Sequence, residues 1–400
     1  MLIPSLFLTL SLQITIIYGC TISINDDLGD PQPLVLNPSG GYGHSAFHLP
    51  DTGDKIKLSN GETVQVACPG GVVVIGGVST TSNVGTATCN NNKFTISSKS
   101  VNFIDITCST VPYHTARATG NKCLTTHKEI EIGFDINNRF LKHIDVCFDE
   151  SKDNVLYSKF NLTKTIDGYQ SGYPRPSWIQ GNFFSVSGVD NLYTKNNQRA
   201  VINNLLGLDE NSYKYIAESS DFYLARGHLT AKADFLFGAQ QRATFYFVNA
   251  APQWQTFNGQ NWMYLESDTR DFAASKNKDL IVYTGTYGVA TLPHEKTGVD
   301  TELYLYVNGN NKRIPVPRLF WKVLYEPTTK AGVVFLGVNN PYVLNSSKDV
   351  ICTDICSQYS WLTWDRKTIS KGYGYCCSVA DFRKVVTTLP AFEVTQLLNK

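Results

Sequence analysis

The chain carries, between residues 226 and 270, a set of polar side chains whose chemistry is complementary. The set comprises one histidine, one asparagine, one glutamate and two arginines: His228, Asn258, Glu266, Arg226 and Arg270. Hydrolysis of a phosphodiester bond needs a base that deprotonates water, positive charge near the phosphorus and a way to neutralise the leaving oxygen. The set contains each of these types, so the segment predicts phosphodiester chemistry.

Each side chain suits a particular task. His228 can act as the base because the ordinary pKa of histidine, about 6.5, lies close to working pH. The amide oxygen of Asn258 can ligate Mg²⁺, and Glu266 can order one of the waters that this ion keeps. Arg226 and Arg270 offer forked donors to phosphate oxygens. Glu266 and Arg270 are four residues apart, so an ordinary ion pair on one helix face is the alternative interpretation of that spacing.

The motifs around these residues resemble those of the DNA/RNA non-specific endonucleases with a ββα-metal site. That family shows Asp-Arg-Gly-His, then Asn-x-x-Pro-Gln-x-x-x-x-Asn, then Trp and Leu-Glu-x-x-x-Arg. This chain contains Ala225-Arg-Gly-His228, Asn249-Ala-Ala-Pro-Gln253 followed by Asn258, Trp262, and Leu265-Glu-Ser-Asp-Thr-Arg270. Such ordered spacing is far more specific than a lone tripeptide. The resemblance is strong over residues 170 to 290.

The resemblance implies a role for each matching position. It implies that His228 is the general base, that Asn258 is the direct metal ligand and that Glu266 holds metal-bound water. Asn249 would support the site. The implied cofactor is Mg²⁺, with Mn²⁺ as an alternative.

The arginines and one departure complete the comparison of motifs. Arg226 and Arg270 match phosphate and transition-state contacts of the family, and Arg175 in Tyr173-Pro-Arg-Pro-Ser-Trp178 matches a third family arginine. Ala225 replaces the family aspartate before Arg-Gly-His, which puts the local positioning of the histidine in question but removes no member of the proposed set. The phrase from Ala225 to Phe235, with the features described below, is most similar to the insect gut double-stranded ribonucleases of this family.

The elements that position these residues can be predicted from periodicity. Residues 195–206 form a helix with Val201, Ile202, Leu205 and Leu206 on one face, and Gly207 ends it. Residues 243–248 predict a strand that ends at Asn249, and residues 249–258 predict an irregular loop. A second helix carries Trp262, Leu265, Thr269 and Phe272 on one face, and residues 280–285 form a further strand.

The segment of residues 20–150 has a different sequence pattern. Short apolar runs at 63–67, 71–75 and 94–97 are separated by Gly, Asn, Asp and Pro, which is typical of strands and turns. Its five histidines stand in no metal-like or catalytic spacing, and we interpret them as structural or surface residues: His44, His48, His114, His127 and His143. We predict an α+β protein with a disulfide-tied β-rich module at 20–150, followed at 151–400 by a ββα-metal nuclease domain with a mixed or antiparallel sheet and flanking helices.

The N-terminal run and the cysteines indicate secretion. Residues 1–19 are apolar but too short and interrupted for a membrane span, so we predict a cleaved signal peptide, and no later stretch is long and apolar enough to cross a bilayer. Ten cysteines form a group of six and a group of four, which predicts disulfides within each group without selecting the pairs. Zinc binding is the alternative, but the spacing does not favour it. Sequons at Asn161 and Asn345 agree with a secretory route.

These observations predict a secreted, extracellular, Mg²⁺-dependent endonuclease that acts on double-stranded RNA, and also on single-stranded RNA and DNA, without sequence specificity. The implied branch of the family places it in the gut lumen. The net charge of +1 argues against a protein that coats nucleic acid by charge alone. Two alternatives remain: a catalytically weak, secreted nucleic-acid-binding protein on the nuclease fold, and a structural extracellular β protein. The oligomeric state is not predicted.

Overall fold

The structure, a computed structural model, describes residues 19–41 and 43–398. The predicted signal peptide lies outside the described residues except for Gly19. Antiparallel sheets combine with short helices, which confirms the predicted α+β class. Among the described residues, no helix has the length and apolar character needed to cross a membrane.

Strands make up most of the regular structure. The first ten are β1 Cys20–Ser23, β2 Leu34–Leu36, β3 Lys55–Leu58, β4 Thr63–Ala67, β5 Val73–Ile75, β6 Val78–Ser79, β7 Val84–Asn90, β8 Lys93–Ile96, β9 Lys99–Val101 and β10 Ile106–Cys108. The others are β11 Thr115–Cys123, β12 His127–Ile136, β13 Arg139–Asp149, β14 Asn154–Leu162, β15 Leu224–His228, β16 Ala250–Trp254, β17 Leu280–Val289, β18 Thr291–Pro293, β19 Asp300–Glu302, β20 Tyr304–Asn308, β21 Asn311–Pro315, β22 Pro317–Glu326, β23 Ala331–Val338, β24 Gly374–Cys377 and β25 Gln396–Leu397.

The helices are short. They are α1 Val189–Leu192, α2 Lys195–Leu206, α3 Gly238–Arg242, α4 Gln255–Phe257, α5 Met263–Ser275, α6 Ser346–Asp349 and α7 Val379–Arg383. A π-helical turn, Asn258–Trp262, joins α4 to α5, so the chain from α4 to α5 is one continuous helical segment.

One large sheet organises the molecule. Its strands run in the order β11-β12-β13-β14-β17-β22-β23-β24, and β25 adds to β23 in parallel. The sheet joins strands on both sides of residue 150, because β13 pairs with β14 and β14 pairs with β17. The division into domains at that residue therefore stays a prediction. The strands before residue 110 form smaller sheets of two, three and five strands.

The large sheet buries both of its faces. Val282 and Phe320 point to one face, where the apolar core continues into the smaller sheets before residue 110 and into α5. Their neighbours Tyr283 and Trp321 point to the other face, because successive side chains of a strand alternate. The segment that carries α7 covers this second face. The helical segment of the candidate site and the smaller sheets before residue 110 thus lie on the same side of the large sheet.

Two predicted helices are confirmed. Helix α2 spans Lys195–Leu206, and Gly207 ends it with φ of 65°, a left-handed conformation that glycine adopts readily. In α5 and the preceding π-helical turn, the four residues of the predicted apolar face are buried: Trp262, Leu265, Thr269 and Phe272. The strand predicted at 280–285 is β17.

Two local predictions are wrong. Residues 243–248 form no strand: they contain a turn, a single bridge between Tyr246 and Ile179, and the start of the 3-10 turn Phe247–Asn249. Their aromatic side chains suggested a strand, but burial against Trp178 accounts for them. The strand lies instead at β16, within the predicted loop. Pro252 has no backbone N–H, but it is tolerated in β16 because this strand pairs only with β15. The other edge of β16 has no neighbouring strand that would need an N–H donor.

All ten cysteines are paired, within the two predicted groups. The pairs are Cys20–Cys89, Cys68–Cys108, Cys123–Cys147, Cys352–Cys377 and Cys356–Cys376. Asp354 lies close to the sulfurs of Cys356 and Cys376, but sulfurs joined in a disulfide are not thiolate ligands. The disulfide prediction is confirmed, and zinc binding by these cysteines is excluded.

Candidate active site

The imidazole of His228 sits at the end of β15 between two aromatic rings. Its centroid lies 4.6 Å from that of Trp178 and 4.8 Å from that of Phe245. Burial and, to a smaller extent, the positive charge of Arg175 lower the pKa of His228 to about 3. The ring is therefore neutral at physiological pH. Its Nε2 is buried and has no hydrogen-bond partner in the part of the chain that the structure describes, so this nitrogen is free to accept a proton.

Asn249 stabilises the backbone that follows His228 at the end of β15. Its Oδ1 accepts from the backbone N–H of Thr230 at 3.0 Å, and its Nδ2 donates to the carbonyls of Thr230 at 2.9 Å and Thr244 at 3.0 Å. The side chain is fully buried. Its backbone carbonyl also accepts from Leu229, the residue after His228. All the polar groups of this amide are used to hold the chain that follows the histidine.

Asn258, unlike Asn249, uses only part of its side-chain amide in hydrogen bonds to the described protein. It begins the π-helical turn, and its Nδ2 donates to Oε1 of Gln255 at 3.1 Å. No hydrogen bond from another described residue reaches its Oδ1. With the nitrogen held by Gln255, the neutral oxygen is the atom that can bind a ligand.

Glu266 and Arg270 lie one turn apart on α5, as the sequence predicts, but they do not form an ion pair with each other. Arg270 donates to Oδ1 of Asp234 at 3.0 Å, and both partners are largely buried. Among the residues described, none donates a hydrogen bond to the half-buried carboxylate of Glu266. The ion pair considered as the alternative is thus replaced by a pair that leaves Glu266 available. Asp234 was not identified from the sequence.

Lys322 is a second residue that the sequence analysis missed. It lies in β22, is 1% exposed, and donates from Nζ to Oγ1 of Thr284 at 2.7 Å. The ammonium also lies 5.6 Å from the ring centroid of Trp262, one turn before Glu266. A single lysine inside the apolar run of β22 is the signal that could have identified it, because a buried lysine requires compensating charge.

The charges around Glu266 oppose one another. Burial and the nearby Asp234 raise the pKa of Glu266, whereas Lys322 and Arg270 lower it, and the net effect is a pKa of about 7. Burial lowers the pKa of Lys322, against the effect of Asp234 and Glu266. Two acidic side chains, Asp234 and Glu266, therefore lie within electrostatic reach of two basic ones, Lys322 and Arg270.

The other two predicted arginines differ in their surroundings. Arg226 donates to Oδ1 of Asp190 at 2.6 Å, and this aspartate is exposed. Arg175 is exposed, and its charge lowers the pKa of both His228 and Glu266. The structure thus brings Arg175 near the histidine and the glutamate, and it holds Arg226 against α1.

Ala225, the departure from the family motif, faces Gln253 across the β15–β16 ribbon. Gln253 is fully buried, and neither polar atom of its side chain has a hydrogen-bond partner in the described chain. It packs so closely on Gly227 that a Cβ there would lie 2.6 Å from the Cβ of Gln253. The glycine before His228 is therefore required by packing.

The donor set suits a divalent cation of the Mg²⁺ type. Such ions prefer oxygen ligands and keep several waters. Within residues 19–41 and 43–398, the oxygen of Asn258 has no hydrogen-bond donor and the carboxylate of Glu266 has none either. Softer ions that select thiolate ligands find none here, because every cysteine is in a disulfide.

Several known proteins are similar to this chain. A family model described as DNA/RNA non-specific endonuclease matches residues 125–382. The chain is 29% identical over 371 residues to a salivary endonuclease of Lutzomyia longipalpis, covering 92% of this chain and 83% of that protein. It is 24% identical to the salivary protein Tsal2A of Glossina morsitans morsitans, covering 96% and 95%. A solved EndoG/EndoGI complex shows 18% identity and a TM-score of 0.36, and covers 64% of this chain and 87% of that one.

Proposed function

Because the chain belongs to the DNA/RNA non-specific endonuclease family, we propose that it is a Mg²⁺-dependent endonuclease in which His228 is the general base and Asn258 the metal ligand. The observation that carries this proposal is the state of His228. Its ring lies between two aromatic side chains, and its Nε2 has no hydrogen-bond partner among the described residues. A base that takes a proton from water needs a ring nitrogen that no other group occupies.

The other side chains have complementary roles. A divalent cation bound at Asn258 supplies positive charge against the charge that develops on the phosphate and its leaving oxygen. Glu266 accepts hydrogen bonds from water beside Asn258 and thereby orients it. Arg175, which is exposed and close to both His228 and Glu266, attracts the phosphate. Arg270 contributes positive charge to the site while it is hydrogen-bonded to Asp234.

The substrate is nucleic acid read through its backbone. The proposed contacts are arginines, a histidine and an amide aimed at phosphate chemistry, and such contacts carry no base information. We therefore propose cleavage of double-stranded RNA, single-stranded RNA and DNA without sequence specificity. Arg226 is held by an exposed carboxylate, and an exposed ion pair of this kind is weak enough for a phosphate to replace.

Secretion belongs to the same proposal. Five disulfides stabilise the chain, as is usual in an oxidising compartment, and the relatives named above are salivary proteins. Asn161 and Asn345 are both exposed, so each sequon is accessible for glycosylation. The signal peptide at 1–19 and a β-rich module at 20–150 complete the proposed organisation, and the gut lumen is one proposed site of action.

A digest of purified protein tests the function. Duplex RNA, single-stranded RNA and plasmid DNA are incubated with Mg²⁺, with and without chelator, using the wild type, His228→Ala and the control His127→Ala. We expect all three substrates to be cleaved, chelator to stop cleavage, and His228→Ala to lose about 10²- to 10⁴-fold in rate while His127→Ala retains it. Because His228 packs between two rings, the stability of each variant is measured as well. Binding without turnover by the wild type would support the alternative of a catalytically weak nucleic-acid-binding protein instead.

A further inference from the structure

The loop between Cys352 and Cys377, here called the disulfide loop, packs against the helical segment that carries Asn258 and Glu266. Two disulfides, Cys352–Cys377 and Cys356–Cys376, hold it closed. The ring of Trp361 lies 4.8 Å from that of Phe272 in α5. Asp268, two residues after Glu266, accepts from the N–H and the hydroxyl of Thr363 at 2.7 and 2.8 Å. The loop thus contacts the same helix that presents the candidate catalytic residues.

Asn261 makes the most complete of these contacts. Its Nδ2 donates to the carbonyls of Asp365 at 2.9 Å and Gly372 at 2.8 Å, and its Oδ1 accepts from the N–H of Asp365 at 2.9 Å. The side chain is fully buried. Asn261 therefore joins the π-helical turn to two separate points of the disulfide loop, three residues after Asn258.

The residue before Asn258 is held by the same loop. The ring of Phe257 lies so close to Gly372 and Gly337 that a Cβ on either glycine would come within about 2.2 Å of it. Asn258 is thus bracketed by Phe257 and Asn261, and the loop contacts both. No hydrogen bond joins the described residues of the loop to Asn258 itself, so any effect on that residue acts through the backbone of the turn.

The turn needs such support for a physical reason. A π-helical turn is rare and has poor intrinsic stability, and α4 before it is only three residues long. The direction of the Asn258 side chain therefore depends on tertiary contacts rather than on helix propensity. A cation held by one protein oxygen is sensitive to that direction, because no second protein ligand corrects an error in it.

We propose that Asn261 is a positioning residue for the metal site: by tying the π-helical turn to the disulfide loop, it sets the position of the Asn258 oxygen. This inference rests on the proposed function for the role of Asn258. It assigns a task to a part of the chain about 100 residues away from the family motifs, and it makes the affinity for the cation depend on the integrity of that loop.

The test compares Asn261→Ala with Asn203→Ala. Asn203 is a matched control: it is also fully buried on a helix, α2, and donates from Nδ2 to two loop carbonyls, Glu210 at 3.0 Å and Ser212 at 2.9 Å. Mn²⁺ binding is measured by electron paramagnetic resonance without substrate, together with the Mg²⁺ concentration for half-maximal rate and the free energy of unfolding. We expect Asn261→Ala to weaken Mn²⁺ binding and raise the Mg²⁺ demand about 10- to 100-fold, with most of kcat recovered at saturating metal. Asn203→Ala should lose stability without either change.

The double variant Cys356→Ser/Cys376→Ser provides a second perturbation if Asn261→Ala does not fold. It loosens the loop while retaining Asn261, and we expect a smaller increase in Mg²⁺ demand and a weaker affinity for Mn²⁺. Unchanged Mn²⁺ affinity in the folded variants, or equal shifts in Asn261→Ala and Asn203→Ala, would overturn the inference. Asn258→Ala separates the two proposals: if it leaves Mn²⁺ affinity unchanged, the metal-ligand assignment itself fails, whereas loss in Asn258→Ala alone overturns only the role of Asn261.

Discussion

Arg270 bonds to Asp234 at 3.0 Å and not to Glu266, although Glu266 lies one turn away on the same helix. The choice of partner matters for chemistry. Asp234 takes up the positive charge of Arg270, so the carboxylate of Glu266 remains free of protein donors in the described chain. The positive charge of Lys322 compensates the negative charge of Glu266.

Asp234→Asn should therefore disturb the site through Arg270. Without the carboxylate, Arg270 can pair with Glu266 at the i, i+4 spacing and remove it from water. We expect kcat to fall about 10- to 100-fold, and the free energy of unfolding to fall by about 1.5 to 3 kcal/mol because a charged, largely buried hydrogen bond is weakened. Steady-state kinetics and denaturant unfolding measure the two effects. The control Asp190→Asn, at an exposed ion pair, should change stability by less than about 1 kcal/mol. Wild-type kcat in Asp234→Asn would contradict this role.

Replacing Asn258 and replacing Asn249 should impair the protein in different ways. Asn258→Ala should lose nearly all turnover and raise the Mg²⁺ demand, because it removes the proposed ligand oxygen. Asn249→Ala should instead lose about 1 to 3 kcal/mol of stability, since it leaves buried groups of Thr230 and Thr244 without partners, and should retain more activity at saturating metal. Mg²⁺ titrations and unfolding of both variants decide the assignment. A larger metal defect in Asn249→Ala would reverse it.

The pH dependence should follow Glu266 rather than His228. Burial raises the pKa of Glu266 to about 7, so this carboxylate becomes protonated as pH falls through that value and can no longer accept hydrogen bonds from water at both oxygens. The pKa of His228 is lowered to about 3, so the base remains neutral over the same range. We expect the rate to decline on the acidic side of neutrality, whereas the proton affinity of His228 would matter only near pH 3.

The charged groups that face Glu266 set the pH at which its carboxylate titrates, and a bound cation should shift that pH. Lys322 and Arg270 favour the charged form of Glu266, and Asp234 opposes it. A bound cation also favours the charged form, so a higher Mg²⁺ concentration should shift the acidic limb to lower pH. Profiles of kcat/KM against pH at two Mg²⁺ concentrations measure the shift. An acidic limb that persists unchanged in Glu266→Gln would exclude this assignment.

Salt should weaken cleavage of every substrate alike. Arginines that contact phosphates displace counterions and read charge rather than base edges. We expect kcat/KM to fall steeply with NaCl and the cut sites to show no short recognition sequence. Arg175→Ala should reduce the salt slope, whereas Lys384→Ala, next to α7 on the opposite face of the sheet, should not. A cleavage map dominated by one sequence would refute backbone recognition.

Local patterns in the sequence determined several features correctly. Apolar spacing and Gly207 define α2, because a helix face and a left-handed end residue are properties of neighbouring residues. The even counts of cysteines placed the disulfides within two groups, since nearby cysteines in an oxidising compartment can close short loops. Ordered motifs from Arg226 to Arg270 were enough to indicate the family, because they record a whole arrangement of residue types and spacings.

Only the tertiary structure decided which distant groups meet. The aromatic run at 243–248 resembles a strand until Trp178 is seen to pack against it, and β16 could be recognised only once β15 lay beside it. Asp234 and Lys322 join the site from a turn and a strand that no local pattern links to α5. Asn261 bonds to residues more than 100 positions away. Hydrogen bonds and charges act through space, so partners separated along the chain become visible only when the fold brings them together.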